Sequence, residues 1–265
     1  FDWSNQTTAY TACDRFQFAV VGAAVITSSQ DTTVPSGQGF SNSLKLDVTT
    51  ADSSLAASDF AFLRHKIEAQ NLQHLNYGTS SAKSLTLSFW IRSSKTGTHI
   101  AELRHDDATY FNSQAYTISS ADVWQKVTLT YDGYVTTAIN NDNGAGINVN
   151  WWLAAGSDYS GGTLSSNTWQ NTSANRAVGQ VNVMDSTSNT FYITGVQLEV
   201  GSTATDFEHR SYGDELRRCQ RYYYKVSKVF GVGFANSDSQ GQVTIPFPVQ
   251  IRTYPTAIDT TGTAN

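Results

Sequence analysis

Along most of the first 200 residues, apolar and polar side chains alternate with a period of two, the mark of strands that bury one face. The stretch Lys83–Ser94 shows this most clearly: Leu85, Leu87, Phe89 and Ile91 share one phase, and Thr86, Ser88, Trp90 and Arg92 the other. Similar phases predict strands at Asp14–Val20, Ser43–Val48, Thr98–Leu103, Thr109–Ile118, Val123–Tyr131 and Gly146–Ala154. The alternation over Phe60–Glu68 is weaker and is also read as a strand. In Thr190–Val200 the phase slips by one residue at Gly195, which predicts a β-bulge. Turn-forming Gly, Asn, Asp and Ser separate these segments at intervals typical of an antiparallel sandwich.

After Gly201 the period changes. Leu216, Cys219, Gln220 and Tyr223 fall at spacings of 3 and 4, which predicts a helix over Tyr212–Lys228. Val229–Ala235 and Gln242–Ile251 return to a strand pattern, with Pro246 and Pro248 assigning the latter to an edge. The expected domains are a β-sandwich over residues 1–205, a helical connector over 206–228, and a truncated β segment over 229–265. The chain starts at Phe1 and ends just after an incipient strand pattern, so both ends read as cut from a longer polypeptide.

Composition narrows the function classes. Only 15% of residues are charged, whereas 12% are aromatic, a balance suited to an extracellular β protein. The net charge of −5 and the lack of a Lys/Arg run make nucleic acid an unsuitable partner. No apolar stretch reaches the length needed to cross a bilayer, and no membrane insertion is expected. Cys13 and Cys219 show no zinc-type spacing; two buried thiols are the simpler reading, with a disulfide left open.

An enzyme needs convergent acids, bases or nucleophiles. The five histidines form no HExxH motif, and no GxSxG elbow is present. Asp106 and Asp107 beside His105 read as a polar turn, because adjacent residues at a strand end point in different directions. The chain is therefore expected to be non-enzymatic, with a polysaccharide lyase or hydrolase as the competing class.

Sugars present flat C–H faces that stack on aromatic rings, while amides satisfy their hydroxyls. Trp90, on the polar phase of its strand, and Trp152, which shares its phase with Asn148 and Asn150, are the candidate platforms. The competing reading places each ring beneath a crossing loop or a neighbouring subunit. Tyr159 and Trp169, in the loop-rich stretch 155–190, are further glycan candidates or else loop anchors. Trp151 and Trp124 are assigned to the core. Tyr222, Tyr223 and Tyr224 are candidate contacts between subunits, or a cover for the end of the sandwich.

Residues 85–94 (LTLSFWIRSS), 124–129 (WQKVTL) and 193–201 (ITGVQLEVG) resemble strands of carbohydrate-binding jelly rolls. Residues 206–224 (DFEHRSYGDELRRCQRYYY) resemble the connector that follows such modules in bacteriophage structural proteins, tail-fibre-like and virion-surface proteins among them. With 65–72 (HKIEAQNL) and 76–83 (NYGTSSAK), the likeness extends over roughly 15 to 230. It implies an all-β jelly-roll sandwich on the surface of a virion, with other virion proteins, host-surface or environmental polysaccharide, and further copies of the chain, such as a trimer, as partners. No cofactor is implied, but a structural calcium ion near the first and last strands is, with Asp14, Asp47 and Glu199 as candidate ligands. A tail fibre or similar appendage is the leading expectation. A head-decoration protein is the nearest alternative, and a carbohydrate-binding module of a secreted glycoside hydrolase the next.

Overall fold

The computed structural model describes residues 8–10, 13–224, 233–237, 240–244 and 246–255. It divides into two compact units, Phe1–Glu208 and His209–Asn265. In the first unit the strands are β1 (Thr8–Tyr10), β2 (Phe16–Val21), β3 (Val25–Asp31), β4 (Ser43–Thr50), β5 (Phe60–Glu68), β6 (Leu85–Ser93), β7 (Gly97–His105), β8 (Tyr110–Ile118), β9 (Gln125–Tyr131), β10 (Ala145–Ala155) and β11 (Thr190–Val200). A single helical turn, α1 (Ser157–Ser160), follows β10.

Every strand pair is antiparallel, and two sheets result, in the orders β1-β2-β5-β10-β7-β8 and β3-β4-β11-β6-β9. Neighbours such as β5 and β10, or β4 and β11, are distant in sequence, so the chain crosses repeatedly between the sheets. The result is an all-β jelly-roll-like sandwich. Its core lies between the sheets, where Leu63, Leu87, Phe89, Ile91, Leu103, Val149 and Trp151 are all buried. Phe89 meets Trp151 edge-on, with ring centroids 5.8 Å apart. The Tyr131 hydroxyl donates to the Ala101 carbonyl at 3.0 Å, a hydrogen bond that links the two sheets inside the core.

Phe60–Glu68 is a full strand, and its weak alternation has a physical cause. Ala61 and Leu63 face the core, while Phe62 is buried on the opposite face in a second apolar cluster with Ala19, Ile100, Trp152 and Ala177. The bulge on β11 is present as a register shift between Thr194 and Gln197, with Gly195 at φ 59°. Strand β3 escapes the period-two reading because its buried positions alternate Ile26 with the polar Ser28.

In the second unit α2 spans Tyr212–Gln220, capped by the Ser211 hydroxyl, which accepts from the Asp214 amide. This helix is shorter than the expected Tyr212–Lys228. Residues 221–222 form a turn, Tyr223 lies beyond the helix, and the remainder of the expected span, 225–228, lies outside the described residues. Strands β12 (Gly233–Ser237) and β13 (Gln240–Val243) form a hairpin. The strand expected over Gln242–Ile251 ends at Val243, and Pro246 and Pro248 fall in irregular chain. Residues 229–232 of the other expected strand are outside the described residues. The Arg221 guanidinium donates to the Gln250 carbonyl at 3.1 Å, and Tyr224 packs on Phe247 with centroids 6.0 Å apart.

Candidate functional site

The six-stranded sheet has one face in the core and one outside, and the strand registers fix what the outer face carries. Arg64 on β5 lies opposite Asn150 on β10, which lies opposite Glu102 on β7 and, through it, Ser113 on β8. The next row is Lys66, Asn148, Arg104 and Phe111. Four strands thus place amides at the centre, with cations on both sides.

The first row is tightly bonded. Arg176, from the loop after β10, forms a bidentate pair with Glu102 at 2.8 and 2.7 Å. Glu102 also accepts from Asn150 Nδ2 at 2.7 Å, and Asn150 Oδ1 accepts from Arg64 Nε at 2.9 Å. Glu102 is fully buried, so its charge requires this matched partner. Burial, the largest single effect, would lower the Arg176 proton affinity, but the charge of Glu102 and the hydrogen bonds to it together raise the group above the ordinary arginine value. Arg64 is held below its ordinary value, chiefly by burial and then by the nearby positive charge of Arg104.

The second row is incompletely bonded. Asn148 Nδ2 donates to Asp106 Oδ1 at 2.9 Å, whereas its buried Oδ1 has no hydrogen-bond partner. Arg104 Nε, across the strand pair, lies 3.3 Å from the same Asp106 oxygen but is not aligned to bond it. A bare acceptor and a bare donor therefore sit on adjacent strands.

One end of this face is aromatic. Phe60 stacks on Phe62 with centroids 5.1 Å apart, and half-buried Tyr159, from α1, meets Phe60 at 5.4 Å and Trp152 at 5.6 Å. Trp152 is fully buried, so it is not the exposed platform that its polar phase suggested. The loop after β10 folds back over the sheet and brings Arg176 to 5.0 Å from its ring. Asn148 and Asn150 are buried as well. Trp169 lies elsewhere, donating to the Asp132 carbonyl at 2.6 Å and packing on Tyr134, the geometry of a loop anchor.

Trp90 is on the outer face of the other sheet, opposite Thr194 and Lys126, and is half-buried. Close by, Arg92 lies over the Tyr192 ring at 4.8 Å, and Trp124 meets Tyr192 at 6.2 Å. The candidate glycan residues thus divide. Asn148, Asn150, Trp152 and Tyr159 share one face, whereas Trp90 and Trp169 are separate from it. Arg64, Glu102, Arg104 and Arg176 were not among the residues expected; the alternation of β7 and β5 puts the first three on a polar phase, but only strand order brings them to one place.

His105, Asp106 and Asp107 do not converge. His105 points inward to the Thr137 carbonyl at 3.1 Å, Asp106 outward to Asn148, and Asp107 to the Asn140 amide at 3.0 Å. The three acids considered for calcium are also dispersed. Asp14 pairs with Arg15 and Asp47 with Lys45, at 2.8 and 2.9 Å, while Glu199 accepts from Thr205. They do not form one site, and among the described residues no group of three or more His, Cys, Asp or Glu is placed to hold a metal ion. Cys13 is exposed and not buried as expected, and Cys219 is half-buried; both are thiols. No helix among the described residues is long and apolar enough to cross a membrane.

No protein-family model and no curated protein matches the sequence. Among solved structures, the enzymatically active domain of Bacteriophage CBA120 tailspike protein 4 is similar over 70% of this chain at 14% identity and a TM-score of 0.37. This chain spans 19% of that one. The family 11 carbohydrate-binding module of a Clostridium thermocellum cellulosomal cellulase is similar over 76% of this chain and 96% of its own, at 10% identity and a TM-score of 0.37. The N-terminal cellulose-binding domain of Cellulomonas fimi β-1,4-glucanase C is similar over 66% and 84%, at 14% identity and a TM-score of 0.34. At these values none of the three transfers a ligand or an activity to this chain.

Proposed function

We propose that this protein is a non-enzymatic, glycan-binding structural protein of a bacteriophage surface, in a tail fibre or similar appendage, and that the outer face of its six-stranded sheet is the binding face. One observation carries the glycan reading: Asn148 Oδ1 and Arg104 Nε, an acceptor and a donor that make no hydrogen bond, Arg104 Nε being only ion-paired with Asp106, stand opposite each other on paired strands of a face whose far end is aromatic. A sugar hydroxyl donates one hydrogen bond and accepts others, so a single such group serves both atoms once the half-exposed Arg104 turns toward it. Phe60 and Tyr159, both half-buried, offer aromatic surface to the C–H face of a neighbouring sugar unit.

The virion assignment rests on the phrase at residues 206–224. Exposed aromatic side chains in the second unit favour an oligomer: Tyr212, Tyr223, Phe234 and Tyr254 are each 60% or more exposed.

The test is a glycan array probed with the whole chain and with Asn148→Ala, Arg104→Ala and Trp90→Ala, folding being checked by circular dichroism. Each of the first two is expected to weaken binding about tenfold, the effect of one or two lost hydrogen bonds, while Trp90→Ala leaves it unchanged. The opposite pattern would move the site to the other sheet. Failure of the wild type to bind any glycan would favour a capsid-decoration role.

A further inference from the structure

Among the described residues, the ion pairs on the binding face leave one guanidinium over. Glu102 is matched by Arg176, and Asp106 lies against Arg104, which leaves the Arg64 guanidinium without a carboxylate among the described residues. Its Nε is committed to Asn150 Oδ1, and that bond fixes the plane of the group. The Nη edge makes no hydrogen bond among the described residues. A guanidinium held in this way presents two parallel N–H donors, the geometry that a planar carboxylate accepts. Arg104, diagonally across β10 and ion-paired with Asp106 at 3.3 Å, places a second guanidinium on the same face of a chain whose net charge is −5.

We propose that this face selects acidic polysaccharide, with a sugar-borne carboxylate seated on the Nη edge of Arg64 and within reach of Arg104. The proposal rests on the glycan-binding reading of the same face and names the class of sugar: a uronic or sialic acid unit in a chain whose neighbouring hydroxyls engage Arg104 Nε and Asn148 Oδ1. An arriving carboxylate supplies Arg64 with the anionic partner that Asp106 already gives Arg104. Burial first, and the nearby Arg104 charge second, hold the Arg64 proton affinity below its ordinary value. The rigidity of the rows below matters too, because Arg64 does not have to be ordered when the ligand arrives.

The experiment uses the whole chain on an array of uronic-acid, sialic-acid, sulfated and neutral glycans. Titration calorimetry follows with the strongest carboxylate-bearing oligosaccharide and its carboxyl-reduced counterpart, which keeps the linkages and loses the charge. Reduction of the carboxyl groups is expected to weaken binding at least about tenfold, as is Arg64→Gln, in line with a charge-assisted pair. Arg92→Gln removes a comparable charge from the other sheet and is expected to change nothing. Equal binding of native and reduced oligosaccharides, or binding of neutral glycans alone, would overturn the acidic selectivity and leave the glycan-binding face standing. Binding restricted to sulfated glycans would overturn the carboxylate assignment. A wild-type chain that binds no glycan of any class would overturn both readings.

Discussion

Buried polar side chains in this protein are ordered by partnership, and the exceptions are informative. His99 is fully buried, stacks on Tyr116 with centroids 5.6 Å apart, and faces the Lys95 carbonyl through Nε2 at 3.1 Å. Desolvation pushes its pKa down to about 4, more than the carbonyl contact restores. The folded chain therefore keeps His99 neutral over a range in which the unfolded chain, with an ordinary value of 6.5, takes up a proton. Stability from this group is complete above pH 6.5 and is lost as pH falls toward 4, at about 1.4 kcal/mol per unit. Thermal melts between pH 7 and 4 are expected to show that slope, and His99→Phe, which keeps the stacking and removes the titration, to flatten it. An unchanged slope in the variant would assign the acid sensitivity to other groups. The contrast with Glu102 is instructive: equally buried, it is met by Arg176 and Asn150, which supply donors to both of its oxygens.

At the scale of the element, β11 joins β4 to β6 and is the strand on which the five-stranded sheet depends. Its bulge needs the left-handed conformation of Gly195, and a Cβ there would stand 2.5 Å from the Phe40 ring. Gly195→Ala therefore meets both backbone strain and a clash, and a loss of about 1–3 kcal/mol is expected in urea unfolding. A neutral result would mean that Phe40 yields without resistance. The bulge was legible in the sequence because the apolar phase slips at a glycine, and the phases of β6, β9 and β10 were legible for the same reason of strict alternation. Strand β5 was harder to read, since both of its faces are covered. The burial of Trp152 could not be read at all: alternation assigns its phase, but the loop that returns over the sheet is built from residues 157–177, whose sequence has no period.

For the whole molecule, the apolar surface is unevenly distributed. Among the described residues, the aromatic side chains of the first unit are buried or half-buried, whereas the second unit exposes Tyr212, Tyr222, Tyr223, Phe234, Phe247 and Tyr254. Exposed apolar area of this kind marks association surfaces. Sedimentation of the whole chain is expected to give an oligomer, and the pair Tyr222→Ser and Tyr223→Ser to shift it toward monomer while leaving glycan binding per chain intact. A monomeric wild type would refute the oligomer reading. The sequence by itself determined the all-β class, most strand positions, the bulge and the change of character after Gly201, since each depends on local period or on glycine. Tertiary structure alone decided the face. Arg64, Asn150 and Glu102 are distant in the chain, and only the order β5-β10-β7 sets them side by side. Strand order depends on how two sheets bury their apolar faces against each other, a property of the assembled sandwich that no single strand carries.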